Sequence, residues 1–282
     1  MKITVLVENT RLAGREDLVA EHGLSLFIER NDQRILFDTG ATDAFARNAE
    51  RLGINIQEVD WAIISHHHRD HGGGLAYFLK TNAEAPVYLR SKGVGDCCFR
   101  AFGIINRYVG LDKGLYEKYS NRFEFVDEYK EISPNVFVLT DIGKRFPQPK
   151  GNRRLYVREG NDWNLDCFEH ELVLVIQEKK GLLVFSGCSH QGMLNVVDTV
   201  FRQFDGGRIK AAFGGFHLID LPLLNTMAGS KREVIELGND LLKYPIEKMY
   251  TGHCTGHKAY RLLKGVLGEK LEYLPTGSTI EL

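Results

Sequence analysis

Four histidines and one aspartate fall within six consecutive positions, 66–71, in the stretch SHHHRDHGGG. Imidazole nitrogens and carboxylate oxygens are donors that Zn²⁺, Fe and Mn²⁺ accept, so this composition points to a metal site. Only 10 of the 282 residues are histidine, which makes such a cluster hard to ascribe to chance. It follows an apolar run, 61–65, rather than lying at a chain end, where tag-like histidine tracts occur. In an extended chain, residues two apart share a side. His66 and His68 then face one ion and His67 points away, while Asp70 and His71, past the strand end, face a second point nearby. Gly72, Gly73 and Gly74 allow a tight turn and a close approach of the backbone.

The elements that must carry these groups read as strands alternating with helices, which predicts a layered α/β domain. Strands are expected at 3–9, 23–30, 33–40, 61–65 and 85–90, with a hairpin at Asn31-Asp32. A helix is expected over 42–53, with Thr42 as its cap and Gly53 at its end, and another over 73–80. The middle, 91–168, is less regular. There 95–119 reads as helical in pieces, FEFV and NVFVLTDI as strands, and 143–166 as a long loop rich in Lys and Arg. Regularity returns with two strands in 171–190 around a Lys-Lys-Gly turn. A helix (192–204), a strand (209–217), a helix (231–243), a strand (247–254) and a helix (256–266) follow, and LEYLPTGSTIEL reads as a closing hairpin.

Bulk composition narrows the function classes. Net charge is −1, from 36 Lys+Arg against 37 Asp+Glu, so no global field favours nucleic acid or a membrane surface. The N-terminal apolar run is too short for a signal-peptide core, and no run approaches the roughly 20 residues of a bilayer span. Five scattered cysteines without a CxxC pair suit a reducing, cytoplasmic setting.

SHHHRDHGGGL resembles the HxHxDH signature of the metallo-β-lactamase superfamily, and ILFDTG resembles its Asp-Thr-Gly segment. EHGLSLFIE, LVFSGCSHQGMLNVV, GGFHL and HCTG together resemble one branch of it, known as metal-dependent hydrolases or as dihydropterin-ribofuranosylaminobenzene 5′-phosphate synthases. The resemblance covers most of the chain except 91–168. It implies a four-layer αββα sandwich with a two-metal site at one edge of two sheets. The chain is then a single domain over 1–282, with 91–168 as an inserted, lid-like segment.

Carried over residue by residue, the resemblance makes His66 and His68 ligands of a first metal and Asp70 and His71 ligands of a second. His190 becomes the third ligand of the first metal, His170 being an available alternative in CFEHELVLV. His253 completes the second. Cys188 stands where the family's bridging Asp is usual, either as a thiolate ligand or as an inert buried thiol. Asp38 is expected to orient a ligating histidine. His217 is expected to face the substrate or support a ligand, and His22 to line the pocket.

Two divalent ions, Zn²⁺ first with Fe or Mn²⁺ also compatible, can polarise a substrate oxygen and supply hydroxide at neutral pH. Asp70 could move the proton. The expected function is therefore a two-metal hydrolase using metal-bound hydroxide on a small anionic or phosphorylated molecule, with Arg153 and Arg154 of the basic loop recognising the anion. The alternatives are a pterin-pathway synthase of the branch just named and a non-catalytic metal-dependent binding protein. No nucleic-acid or membrane partner is expected, and the apolar 99–111 leaves room for a homo-oligomer.

Overall fold

The computed structural model describes residues 1–92, 97–221, 224 and 226–282. The chain folds as two compact units. The first comprises Met1–Asp127, Leu155–His170 and Leu274–Leu282, and the second Glu128–Arg154 and Glu171–Tyr273. The middle stretch 91–168 is thus shared between them. No helix among the described residues is long and apolar enough to cross a membrane.

The first unit is built on a seven-stranded sheet. In spatial order its strands are Thr279–Glu281, Lys2–Val7, Ser25–Arg30, Gln33–Phe37, Trp61–Ile63, Val87–Leu89 and Phe123–Phe125. The first three pairings are antiparallel and the last three parallel. A parallel pair needs a crossover, and here the first two crossovers are helical. Ala44–Arg51 joins Gln33–Phe37 to Trp61–Ile63, and Leu75–Thr81 joins Trp61–Ile63 to Val87–Leu89. Their apolar faces place Phe45, Ala49, Leu75 and Phe78 against Leu6, Phe27, Leu36 and Val87 in one buried cluster.

The parallel arrangement brings two strand exits side by side. Phe37 pairs with Ile63, so Asp38 and the segment 64–68 leave the sheet at the same carboxyl edge. That edge is where α/β sheets gather functional groups. The histidines themselves lie beyond the strand, which ends at Ile63 rather than Ser65. His68 caps a four-residue helix, Arg69–Gly72, that carries Asp70 and His71.

The same unit has a four-stranded antiparallel sheet, ordered Asp162–Leu165, Leu155–Glu159, Cys97–Ala101, Ile105–Tyr108. This corrects the expectation of helical pieces over 95–119 and of a loop throughout 143–166 (positions 95 and 96 lie outside the described residues). Phe102 and Gly103, with φ of +55° and +70°, turn one hairpin, and Gly160, at +63°, turns the other. Within 97–119, helix is confined to Gly114–Lys118.

The second unit has its own seven-stranded sheet, ordered Leu271–Tyr273, Ile246–Thr251, Ile209–Phe213, Gly181–Phe185, Val173–Glu178, Val136–Leu139, Lys130–Ser133. The helices Met193–Gln203, Lys231–Leu241 and His257–Leu267 contribute Val196, Val197, Val200, Val234 and Leu263 to a core with Val173, Val184 and Met249. The second of them begins in a capping box between Ser230 and Glu233. Phe185, Phe213 and Tyr250 are in register on parallel strands, so the chain leaves all three at one edge, towards His190, His217 and His253.

The expected closing hairpin is not formed. Leu271–Tyr273 runs parallel to Ile246–Thr251, whereas Thr279–Glu281 pairs with Lys2–Val7 in the other unit's sheet. Pro275, with no N–H to give a ladder, stands between the two.

The three glycines after His71 act through space rather than through special backbone angles. Gly73 and Gly74 have φ of −65° and −78°. A Cβ on Gly74 would lie 2.5 Å from the Thr39 carbonyl oxygen and 2.7 Å from the Phe45 ring. Gly74→Ala is expected to lose about 1–3 kcal/mol through overpacking, read as a lowered urea midpoint; a midpoint equal to wild type would refute this role.

Candidate metal centre

Asp38 organises the donors of the first unit. It is fully buried, with φ of +58° directly after its strand. One carboxylate oxygen accepts the Ser65 backbone N–H at 2.8 Å. The other accepts the Ser65 hydroxyl at 2.8 Å and His71 Nδ1 at 2.6 Å. With its proton committed to Asp38, Ser65 Oγ accepts from His66 Nδ1 at 2.9 Å. Both histidines therefore carry the proton on Nδ1 and present the Nε2 lone pair, the usual state of a ligating imidazole held from behind by a carboxylate. Thr39 adds a backbone N–H (2.6 Å) and a hydroxyl (3.1 Å) to the His71 carbonyl. Asp38 thus bonds His71 directly and reaches His66 through the Ser65 hydroxyl.

The rings gather closely. His66 lies 4.6 Å from His68 and 4.1 Å from His71 between ring centroids. Burial, and then the neighbouring His71 and His68, hold His66 well below its ordinary pKa. Burial is also the main cause that lowers His68, to about 3. Both are neutral imidazoles, the form that binds a cation. Asp70 is partly exposed, with His22 Nε2 at 3.4 Å and His71 Nε2 at 4.0 Å from its carboxylate. His22 thus stands against Asp70.

His67 is turned away from this group, as strand alternation suggests, although the segment is not a strand. Its backbone N–H points at His170 Nδ1 at 3.1 Å, and His170 Nε2 meets Asp166 at 2.9 Å. His68, Cys97, Asp166 and His170 bring potential ligand atoms within 4.8 Å of one another. Both nitrogens of His170 are nevertheless engaged. Nδ1 accepts from the His67 N–H and Nε2 meets the Asp166 carboxylate.

In the second unit, Cys188, His190 and His217 bring ligand atoms within 4.8 Å. His190 is fully buried, and its Nδ1 donates to Asn152 Oδ1 at 3.0 Å while Asn152 Nδ2 returns a bond to the His190 carbonyl at 2.8 Å. This again presents Nε2. His217, at φ +47°, has its ring centroid 4.1 Å from that of His190 and also lies against the Cys254 thiol. Two imidazoles and a thiol gathered in this way suit a bound cation. Cys188 is buried, with its carbonyl 3.5 Å from the Cys254 thiol. His253 is buried at φ +48° just beyond its strand.

Arg153 and Arg154 are less free than a basic loop suggests. Arg154 Nε and Nη2 approach Asp220 at 2.7 and 3.1 Å, and Arg153 Nε and Nη2 at 3.0 and 2.8 Å. Hydrogen bonding from Arg154, with Arg153 adding to it, holds the Asp220 carboxyl down at about 2. Their turn, Lys150–Arg154, also supplies Asn152, a supporting residue absent from the candidates that the sequence offers. No short motif marks it, because it is 38 positions from His190.

The fold and these groups of potential donors point to a known class. The family model of the metallo-beta-lactamase superfamily matches residues 18–94. The chain belongs to the metallo-β-lactamase superfamily and has its fold. It is 31% identical to the 7,8-dihydropterin-6-methyl-4-(beta-D-ribofuranosyl)-aminobenzene-5'-phosphate synthase of Methanocaldococcus jannaschii, over 93% of this chain and 90% of that one. A crystal structure of a metal-dependent hydrolase of the beta-lactamase superfamily superposes with a TM-score of 0.83 at 30% identity, covering 100% of this chain and 99% of that one. Zinc-bound PqqB from Methylobacterium extorquens shares the fold at 12% identity and a TM-score of 0.59, with both chains covered in full.

The lowered histidine pKa values fix a pH dependence. Unfolding returns His66 and His68 to about 6.5, where they bind protons that the folded protein refuses. Their contribution to the stability of the metal-free protein is complete above about pH 6.5 and is lost progressively towards pH 3. Denaturant midpoints should therefore fall between about pH 7.5 and pH 5, and a flat profile would count against neutral buried histidines.

Proposed function

We propose that the chain is a metal-dependent enzyme of the hydrolase type acting on a small anionic or phosphorylated molecule. The observation that carries this reading is the shared tautomer. His66, His71 and His190 each commit Nδ1 to a protein acceptor and so offer Nε2 as a donor. The proposed ligands are His66, His68, Asp70, His71, His190 and His253, with Cys188 as a thiolate. Two divalent ions suit this donor set, Zn²⁺ first, with Fe or Mn²⁺ as alternatives. Such ions supply Lewis acidity and lower the pKa of water to about 7.

The chain's own groups do the rest. Asp70, partly exposed and beside His22, takes up the proton released when water adds to the substrate. His217, beside His190, either joins the ligands or exchanges a proton with the substrate. Arg153 and Arg154 share one Asp220 carboxylate, so the pair keeps a positive charge for an anionic group. A net charge of −1 gives no reason to expect a nucleic acid or a membrane as partner. The second reading is a synthase. It is favoured by the near full-length similarity to a relative named for an aminobenzene 5'-phosphate product.

The test is turnover on phosphate monoesters, phosphodiesters and lactones, alongside elemental analysis. Chelation should abolish turnover, and His68→Ala and Asp70→Ala should lose metal and activity together. Full activity of metal-free protein would sink the proposal. Stoichiometric metal without turnover would favour a binding protein. A new bond from the methyl carbon of a 6-(diphosphooxymethyl)dihydropterin to the amine of a ribofuranosylaminobenzene 5'-phosphate, with release of diphosphate and the amine proton, would favour the synthase.

A further inference from the structure

Asp166, His170 and Glu171 lie within six positions, all buried, and none of them belongs to the proposed ligand set. In the first unit, Asp166 Oδ2 accepts from His170 Nε2 at 2.9 Å, and His170 Nδ1 accepts the backbone N–H of His67 at 3.1 Å. That N–H is the centre of His66-His67-His68, so the Asp166–His170 pair fixes the peptide between two proposed ligands. Asp166 also accepts the Phe168 N–H at 2.6 Å, which holds the carboxylate in place.

In the second unit, Glu171 spreads its two oxygens over consecutive backbone amides. Oε1 accepts the His190 N–H and Oε2 the Gln191 N–H, each at 2.7 Å. These amides belong to a turn with Ser189 at φ +55° and Gly192 at φ +98°. A non-glycine residue in that region costs free energy and persists only when its surroundings determine it. Successive N–H groups closing on one carboxylate provide such a determinant.

We propose that Asp166, His170 and Glu171 are positioning residues, which set the main chain of the two ligand-bearing loops without touching metal or substrate. The inference rests on the metal reading above. His170 and Glu171 are neighbours in sequence, and each braces the ligand loop of its own unit. A ligating ring fixed at Nδ1 is still misplaced when its backbone shifts, so these bonds complement those of Asp38 and Asn152. Outer supports of this kind typically carry about 10–100-fold in metal affinity.

The test uses the full chain and two readouts, backbone amide hydrogen exchange of metal-free protein and Co²⁺ affinity followed by absorbance. His170→Asn should speed exchange at His67, and Glu171→Gln should speed it at His190 and Gln191, each with little change elsewhere. Co²⁺ affinity should fall about 10–100-fold in both. Asp166→Asn provides a milder variant of the first pair should His170→Asn not fold. Asp198→Asn is the control, because Asp198 is buried and binds Arg145 and Arg202 in the second unit. It should lower the Tm and leave Co²⁺ affinity unchanged. Unaltered exchange at the named amides, or an equal loss of Co²⁺ affinity in Asp198→Asn, would overturn the positioning role. Wild-type protein that takes up no Co²⁺ would instead overturn the metal reading.

Discussion

The buried carboxylate of Asp38 is the constraint on which the donor loop of the first unit depends. A carboxylate taken out of water is costly unless its oxygens are occupied, and here three donors occupy them, the Ser65 N–H, the Ser65 hydroxyl and His71 Nδ1. The same bonds that make its burial tolerable decide the protonation pattern of two imidazoles. Because Ser65 gives its proton to Asp38, His66 must give its own to Ser65, and both rings are left with Nε2 as the donor atom. The φ of +58° aims the carboxylate back at the neighbouring strand exit. Parallel pairing of Phe37 with Ile63 places that exit within reach.

The second unit solves the same problem with different groups. Three of its four parallel strands end at Phe185, Phe213 and Thr251, and the turns after them carry His190, His217 and His253. Here a neutral amide, Asn152, fixes the tautomer of His190, and a buried carboxylate, Glu171, fixes its backbone. Across the two units, several of these side chains gain their directions from unusual backbone. Ser189, His217, His253 and Asp38 all sit at positive φ. Strain of this kind gathers where side chains must be aimed rather than merely packed.

How much of this can be read from sequence depends on how local each feature is. His66, His68, Asp70 and His71 are legible because the donors lie within six positions, and Asp38 because ILFDTG is a compact motif. The strands and helices around them are legible from apolar runs and punctuating glycines. The hairpin around Phe102 and Gly103 escapes such reading because mixed polarity over 97–108 lacks a period of two, its outer strand being exposed at every position. The hairpin turned by Gly160 directly follows the basic stretch 144–154 and shares its lack of clear periodicity. LEYLPTGSTIEL reads as a hairpin because two β-rich triplets flank Pro-Thr-Gly, yet each pairs with a strand elsewhere in the chain. Asn152, Asp166 and Glu171 carry no motif at all. Their meaning lies in partners 2 to 38 positions distant, and for Asp166 in a chain of bonds that reaches back 103 positions from His170 to His67.

The central claim is that the Asp38 carboxylate sets up His66 and His71 as metal donors. The most direct measurement is Co²⁺ affinity of Asp38→Asn against wild type, with the fold of each checked by circular dichroism. An amide in this place keeps the shape but directs an NH₂ group at donors that need an acceptor. The account predicts a folded protein whose Co²⁺ affinity is lower by about 10–100-fold. A folded Asp38→Asn protein that binds Co²⁺ as tightly as wild type would contradict it.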